Sequence, residues 1–278
     1  MADEEKKTTS AEESWSAALR RVCRGILEEY SAPFEFLGGV TMVLPQIFKP
    51  RGVRRRELYY DLDLCGVRSL VIVIMISMLM GAVLAIQSAL QLRKFGTEIF
   101  VIDLVGFAVL KEFGPLMVAM VAIGRAGSAF AAEIGTMKVN EEISALQTLG
   151  IRPEAFLVLP KLLAMLLALP ILPILTIIGD LAGLLGGMFV GVSYLGLTAE
   201  VYTERTFAVL NNITFLLGVL KSIPFAVLIT LAGCYCGFTA TGDALGVGRG
   251  ATKAVVLSIF LVVIADAVMS VLYSFIGY

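Results

Sequence analysis

One uninterrupted apolar run decides what class of protein this chain can form. The segment from Ser69 to Leu92 contains no ionisable side chain, and Arg68 and Arg93 bracket it. About 20 consecutive apolar residues are enough for a helix to cross the hydrocarbon core of a bilayer. The segment is therefore predicted to be a transmembrane helix.

The composition extends this prediction to the whole chain. Of its 278 residues, 58% are hydrophobic and 16% are charged, whereas roughly a quarter of the residues in a soluble domain are charged. The net charge of -1 argues against a nucleic-acid partner, because binding to phosphates requires a basic excess. The absence of histidine removes the commonest metal ligand and general base. We therefore expect neither a metal site nor a catalytic site.

Four further segments are apolar and long enough to cross, at residues 99–124, 162–192, 212–239 and 254–276. The predicted fold class is thus all-α integral membrane, with five transmembrane helices. A basic cluster at residues 49–60 precedes the first of them, and the positive-inside rule places such clusters in the cytosol. Because the number of spans is odd, we expect the N-terminus in the cytosol and the C-terminus outside.

The chain before the first span is predicted to have two parts. Residues 1–13 are polar and are expected to form a disordered cytosolic tail. Residues 14–60 are expected to form an interfacial or re-entrant segment that begins with an amphipathic helix, in which Trp15, Leu19 and Ile26 share one face. The alternative, a helix packed on a soluble domain, is weaker because residues 61–278 are predicted to be a transmembrane domain.

The connection at residues 124–156 contains a short helix with recognisable ends. Asn140 is suited to cap its N-terminus, and Gly150 is suited to end it. Between them, at residues 141–149, a narrow apolar stripe is formed by Ile143, Leu146 and Leu149. Such a helix can dock into a groove of a partner protein or lie on the bilayer surface. We favour docking.

Lys111 and Glu112 stand side by side in the second predicted span. A charge at the centre of a bilayer costs at least about 2.5–3.5 kcal/mol, so such residues are expected to face protein or a wet cavity. Neighbouring positions of a helix point about 100° apart, which prevents a good ion pair between these two. Each charge therefore needs a partner elsewhere, and Lys221 and Asp266 are candidates in later spans.

Three short motifs follow one another from the second span onward: KEFGP at residues 111–115, GRAGSA at 124–129 and AEIGTM at 132–137. They resemble the signature region of the MlaE (YrbE) family, the permease subunits of ABC transporters that move lipids together with MCE proteins. The chain departs from the family pattern at Phe113, where leucine is usual, and at Lys111, where arginine is common. These two changes keep the bulk and the charge.

The resemblance implies a homodimer of five-span protomers in a bacterial inner membrane, with the C-terminus in the periplasm. It also implies cytosolic ABC ATPase subunits that bind the ATP, a periplasmic ring of MCE-domain proteins, and no cofactor in this chain. The expected function is transport of phospholipid or a related lipid between the membrane and the MCE carrier. The residues expected to couple the permease to the ATPase are Glu133, Met137, Glu141, Glu142 and Leu146.

The resemblance places a lipid pocket at the dimer axis, between the first and second spans. Pro115 can kink the second helix beside Lys111 and Glu112. We expect Glu112 to hydrogen-bond to Lys221 or across the dimer, and Lys111 to lie nearer the lipid head group, although these two roles are interchangeable at this stage. The other expected lining residues are Leu84, Gln87, Gln91, Phe95 and Phe113.

Two other kinds of protein fit the same residues. An ion-coupled secondary transporter would use Lys111, Glu112, Lys221 and Asp266 as its own charge relay and would work without an ATPase. A scaffold that only anchors the ATPase and the MCE partners is more weakly supported.

Overall fold

A computed structural model describes residues 33–43, 45, 55–97, 99–175, 188, 198, 200, 201, 203–205 and 212–276. Every regular element in these ranges is helical. The helices are α1 (33–43), α2 (Arg55–Leu62), α3 (Arg68–Leu92), α4 (Phe100–Ala108), α5 (Gly114–Ala122), α6 (Ser128–Val139), α7 (Glu142–Thr148), α8 (Leu159–Leu175), α9 (Asn212–Phe238) and α10 (Ala244–Phe275). Wide π-helical turns occupy Asp63–Val67, Val109–Phe113, Ile123–Gly127 and Glu154–Val158.

Five helical stretches in the described ranges are long and apolar enough to cross a membrane, which confirms the predicted fold class. The stretches are Arg56–Phe95, Phe100–Val139, Glu154–Ile171, Leu216–Phe238 and Ala244–Phe275. The first two contain 40 residues each, and at 1.5 Å per residue each is about 60 Å long. Because the hydrocarbon core is about 30 Å thick, roughly half of each helix extends beyond it.

Several helix boundaries therefore differ from the sequence-based prediction. The second span was predicted to end at Gly124, but its helix continues to Val139. The fifth was predicted to begin at Ala254, but α10 begins at Ala244, where Asp243 accepts a hydrogen bond from the backbone of Gly246. Apolar composition marks where a helix leaves the lipid, and a helix can continue in water beyond that point. The fourth span, predicted at 212–239, matches α9.

The predicted short helix at residues 141–149 is present as α7, but its N-terminus is built differently. Asn140 ends α6 instead of capping α7, and Glu141 occupies the N-cap position with a left-handed φ of 61°. Since α6 runs to Val139, the chain must reverse within two residues, and a left-handed residue makes that reversal. Gly150, with φ 73°, follows the helix as predicted.

The core lies around α9, which packs against α5, α6, α8 and α10. The large buried side chains there include Phe130, Met165, Leu169, Phe225 and Ile229. Close helix approach depends on glycines of α9, among them Gly218 and Gly233. A Cβ on Gly218 would lie 2.5 Å from the Leu110 carbonyl oxygen, and one on Gly233 would lie 2.9 Å from the Gly127 carbonyl oxygen.

Two helices lie at the edge of this bundle. In the most apolar part of the first stretch, only 28% of the residues are buried inside the chain. In the most apolar part of the fifth stretch, only 11% are buried. The exposed apolar side chains of α3 and α10 include Leu79, Val83, Val256, Phe260 and Val263. In a membrane these faces are available to lipid or to another subunit.

Helix α1 lies in the segment predicted to be interfacial or re-entrant. Its Phe36 ring lies 5.8 Å, centroid to centroid, from both Tyr235 and Phe238 at the end of α9. Val40 and Val43 are buried, whereas Phe34 and Met42 are exposed. The helix thus has one face on the protein and one apolar face free. The predicted tail at 1–13 and the amphipathic helix near Trp15 lie outside the described residues.

Candidate functional site

A buried lysine joins three helices in the middle of the bundle. The Lys221 side chain on α9 is fully buried. Its ammonium group donates hydrogen bonds to Glu112 in the π-helical turn 109–113, to Asp266 at 3.1 Å and to the Ser270 hydroxyl at 2.8 Å. An ammonium group has three donors, and here each of them meets an acceptor. The hydrogen bonds that the Lys221 ammonium group loses on leaving water are therefore replaced at each of its three protons.

The neighbouring polar groups complete this network. The Ser270 hydroxyl lies 3.1 Å from a Glu112 carboxylate oxygen and 2.9 Å from the Asp266 carbonyl oxygen, and it donates its single proton to one of these two acceptors at a time. The Tyr273 ring centroid lies 5.8 Å from the Lys221 ammonium, and the Tyr273 hydroxyl donates to the Leu217 carbonyl oxygen at 3.1 Å. The network is closed on the α9 side, whereas Glu112 keeps one third of its side chain exposed. A carboxylate held in place by a buried cation thus faces the surface of the bundle.

Lys111 does not belong to this network. Its side chain is half-buried, and it makes no ion pair or hydrogen bond within the described part of the chain. The two adjacent charges therefore point to different surroundings, as predicted, and Glu112 takes the Lys221 partner that was one of its two expected options. The wide turn at 109–113 ends two residues before Pro115, so the helix is distorted where a kink was expected.

The predicted pocket residues of the first membrane-spanning stretch, Arg56–Phe95, separate into two groups. Leu84 packs against a small cluster that includes Ala85 and Val109, next to the charged turn. Gln87, Gln91 and Phe95 are exposed, with Phe95 at 77%. Exposed side chains cannot wall a cavity that one chain encloses alone. The described chain brings Leu84 and the half-buried Phe113 close to the charges and leaves the other three on an open face.

All of the predicted coupling residues except Glu133 lie on or beside α7. Glu141 and Glu142 are exposed, Leu146 is half-buried and Leu149 is 73% exposed. Ile143 anchors α7 in an apolar cluster that also contains Met137 of α6. Lys138 donates a 2.6 Å hydrogen bond to the Phe238 carbonyl oxygen, which ties the end of α6 to the end of α9. The acidic start of α7 is thus exposed to solvent, while Ile143 and the end of α6 fix the helix to the rest of the protein.

Glu133 contributes to a second charged cluster that the sequence reasoning missed. Lys161 of α8 donates to Glu133 at 2.7 Å and lies 3.6 Å from Asp61 of α2. Asp61 and Lys161 are almost fully buried, and a cavity of about 410 Å³ adjoins them. The partners are 28 and 100 positions apart in sequence, so no local motif marks the cluster. The only signals in the sequence were the positions of the two residues, with Asp61 directly after the basic cluster at residues 49–60 and Lys161 directly after Pro160.

A third pair lies at the opposite end of the bundle. Arg205 contacts Asp103 at 3.1 Å, and its guanidinium carbon lies 5.6 Å from the Phe100 ring centroid. Both charged side chains remain about one third exposed. This contact links residues 203–205 to the first turn of α4.

The chain is similar to known membrane permeases over most of its length. A family model described as "Permease MlaE" matches residues 58–272. A probable ABC transporter permease protein of Rickettsia prowazekii is 33% identical over 240 residues, which is 86% of this chain and 89% of that protein. The intermembrane phospholipid transport system permease protein MlaE of Haemophilus influenzae is 30% identical over 235 residues, 84% of this chain and 87% of that protein. The chloroplastic protein trigalactosyldiacylglycerol 1 of Arabidopsis thaliana is 31% identical over 215 residues, 77% of this chain and 61% of that protein.

The family match covers the charged turn, α7 and three of the five membrane-spanning stretches completely, and it covers nearly all of the first and the fifth. The motifs that carried the resemblance, at residues 111–137, lie inside the matched range. The protein belongs to the MlaE permease family and is a multi-pass membrane permease.

Proposed function

We propose that this chain is the permease subunit of an ABC transporter that moves phospholipid, or a related lipid, between a bacterial inner membrane and a periplasmic MCE-protein carrier. The observation that carries the proposal is the family match over residues 58–272, together with a relative named for intermembrane phospholipid transport. In this proposal two copies form a homodimer, with their N-termini in the cytosol and their C-termini in the periplasm. A separate cytosolic ATPase binds and hydrolyses the ATP.

The proposed lipid pocket lies between the exposed face of α3 and the charged turn at residues 109–113. The exposed face of α3 and the half-buried Lys111 would be covered by the second copy at the dimer axis. Lys111, which has no ionic partner in the described part of the chain, is suited to a phosphate-bearing head group. Glu112 is engaged by Lys221 and is suited to hold the pocket wall. The geometry thus favours the assignment in which Glu112 holds the pocket wall and Lys111 contacts the lipid head group.

The proposed coupling site is α7. Its acidic start and the exposed Leu149 offer a charged and an apolar contact to a groove on the ATPase. The hydrogen bond from Lys138 to the end of α9 supports a mechanical link, because α9 also carries Lys221. Movement of α7 would then reach the charged network through α6 and α9.

A secondary transporter remains the second candidate, because Lys221, Glu112 and Asp266 form a hydrogen-bonded charge network in the membrane-spanning region. Such a protein would act alone and respond to a proton or sodium gradient. The two candidates therefore differ in what drives them.

Reconstitution into vesicles distinguishes them. The full chain, purified with and without copurifying ATPase subunits, is reconstituted with fluorescent phospholipid, and extraction to an acceptor is followed with ATP or with an imposed pH gradient. The proposal expects ATP-dependent movement only when the ATPase is present. Movement by the chain alone on a pH gradient would favour the secondary transporter, and binding of the ATPase without any movement would favour the scaffold.

A further inference from the structure

The second charged cluster contains a lysine that two carboxylates share unequally. Lys161 of α8 donates a 2.7 Å hydrogen bond to Glu133 of α6, whereas its ammonium group lies 3.6 Å from Oδ1 of Asp61 on α2. The longer distance suits an ion pair but not a hydrogen bond, and this oxygen is buried and accepts no hydrogen bond within the described residues. A buried acceptor without a donor costs free energy. A second position of Lys161, closer to Asp61, would satisfy it.

The two carboxylates differ in their access to water. The exposed fraction of the side chain is 3% for Asp61 and 45% for Glu133. Glu133 can therefore exchange its lysine for water, whereas Asp61 cannot. A cavity of about 410 Å³, lined by residues of α2, α6, α8 and the π-helical turn 154–158, gives Glu133 room to withdraw. Lys161 thus has two arrangements: bound to Glu133, as in the structure, or bound to Asp61 with Glu133 hydrated.

The two carboxylates belong to helices with different surroundings. Glu133 lies on α6, whose C-terminal end leads directly into α7. Asp61 lies on α2, which continues through the turn Asp63–Val67 into α3, the helix whose open face is proposed to line the lipid pocket. Helix α2 packs against α8, whereas α6 packs against α9 and α10. Lys161 therefore joins the helix next to the proposed coupling site to the helix that leads into the proposed pocket wall.

We propose that Lys161 is a positioning residue that passes from Glu133 to Asp61 during transport, and that this exchange links movement of α7 to movement of α3. The inference rests on the proposed function, and it gives Glu133 a role inside the permease instead of at the ATPase surface. A permanent ion cluster that only stabilises the fold is the poorer explanation, because buried polar atoms of a static structure are normally hydrogen-bonded. Coupling between two sites requires an element with two arrangements, and the shared lysine supplies one.

The amount of lipid moved per ATP hydrolysed tests the proposal. The permease is reconstituted with its copurifying ATPase subunits, and ATP hydrolysis and extraction of fluorescent phospholipid are followed in the same vesicles. Glu133→Gln removes the charge that attracts Lys161 and keeps the side-chain shape, so Lys161 should stay on Asp61. ATPase binding should equal that of the parent, while lipid moved per ATP should fall about fivefold or more. The control Glu154→Gln removes a half-buried carboxylate that makes no ion pair with Lys161, and it should behave as the parent does.

A second variant removes Lys161 without leaving a buried charge. Lys161→Met alone leaves the Asp61 carboxylate uncompensated and can prevent folding, whereas Lys161→Met/Asp61→Asn removes both buried charges. This double variant should bind the ATPase as the parent does and should lose lipid movement per ATP to the same extent as Glu133→Gln. Adding Glu133→Gln to it should cause no further loss, because all three changes act on one exchange.

Parent-like lipid movement per ATP in Glu133→Gln, or losses that add up in the triple variant, would overturn the exchange of Lys161. Weaker ATPase binding by Glu133→Gln would also overturn it, since Glu133 would then lie at the ATPase contact. The proposed function fails in a different way, because the parent complex would then move no lipid with ATP. The permease alone gives a separate readout: the exchange predicts that Glu133→Gln lowers the denaturation midpoint far less than Lys161→Met does, and equal shifts would contradict it.

Discussion

At the scale of single residues, Lys221 determines the state of the buried network. Replacing it by methionine leaves Glu112 and Asp266 facing each other without a cation. Removing one partner of a buried pair costs about 3–5 kcal/mol because the remaining charge is uncompensated. We expect Lys221→Met to lower the free energy of unfolding by about 3 kcal/mol, measured by denaturation in mild detergent with size-exclusion chromatography as the readout.

Lys111→Met is the matched control for that experiment. It removes a lysine from the same charged turn, but Lys111 has no ionic partner in the described part of the chain. Its unfolding should therefore resemble that of the parent protein. Equal stability of Lys221→Met and Lys111→Met would contradict the role assigned to Lys221.

The two charged clusters also show what the sequence reveals about residue pairs. Glu112 and Lys221 lie in apolar surroundings that oblige each to find a partner, so their contact could be anticipated as one of two options. Asp61, Lys161 and Glu133 lie near the ends of the predicted spans, where water is a possible partner. A charged residue that can reach water has no energetic need for a protein partner, so the sequence does not predict this pairing. Only the packing of α2, α6 and α8 brings the three residues together.

At the scale of elements, α7 is the part whose role depends most on its surface. Glu141 and Glu142 are exposed, so their replacement should not disturb the fold. If α7 docks on the ATPase, the double variant Glu141→Lys/Glu142→Lys opposes like charges at the contact, and ATPase binding should weaken by about tenfold or more. Binding is measured by titrating the purified ATPase against immobilised permease.

Glu141→Gly tests the backbone conformation at the start of α7. The left-handed φ of 61° at Glu141 is strained for a residue with a Cβ, and glycine relieves roughly 1 kcal/mol of that strain. The glycine variant should be at least as stable as the parent while losing one charge. If the double lysine variant binds the ATPase as tightly as the parent does, the docking interpretation of α7 is wrong.

The elements also separate what sequence patterns can predict from what they cannot. Gly150 ended α7 where expected, because only a glycine accepts that conformation at no cost. Asn140 did not cap α7, because α6 extends much further than the apolar pattern indicated and reaches Val139. A cap is set by where the preceding helix ends, and a hydropathy pattern does not contain that information.

At the scale of the whole molecule, the exposed face of α3 is where the second copy of the proposed homodimer would pack. Leu84 is packed near the charged turn, yet Phe95 on the same helix is 77% exposed. A second copy would convert this open face into a pocket with apolar sides and a polar belt at Lys111. Photoreactive residues placed at Leu84, Phe95 and Phe113 should therefore capture phospholipid in cells.

Capture alone is insufficient evidence, because any side chain that faces the bilayer meets lipid. The discriminating measurement is its dependence on Lys111. A head group held by Lys111 gains a charge-assisted contact worth about 1.5–3 kcal/mol, so Lys111→Ala should reduce capture at Leu84 and Phe113 by at least tenfold. Capture at Leu167, which is 46% exposed on α8, should not change. If Lys111→Ala leaves capture unaltered at all four positions, those residues meet only bulk lipid, and the pocket lies elsewhere in the dimer.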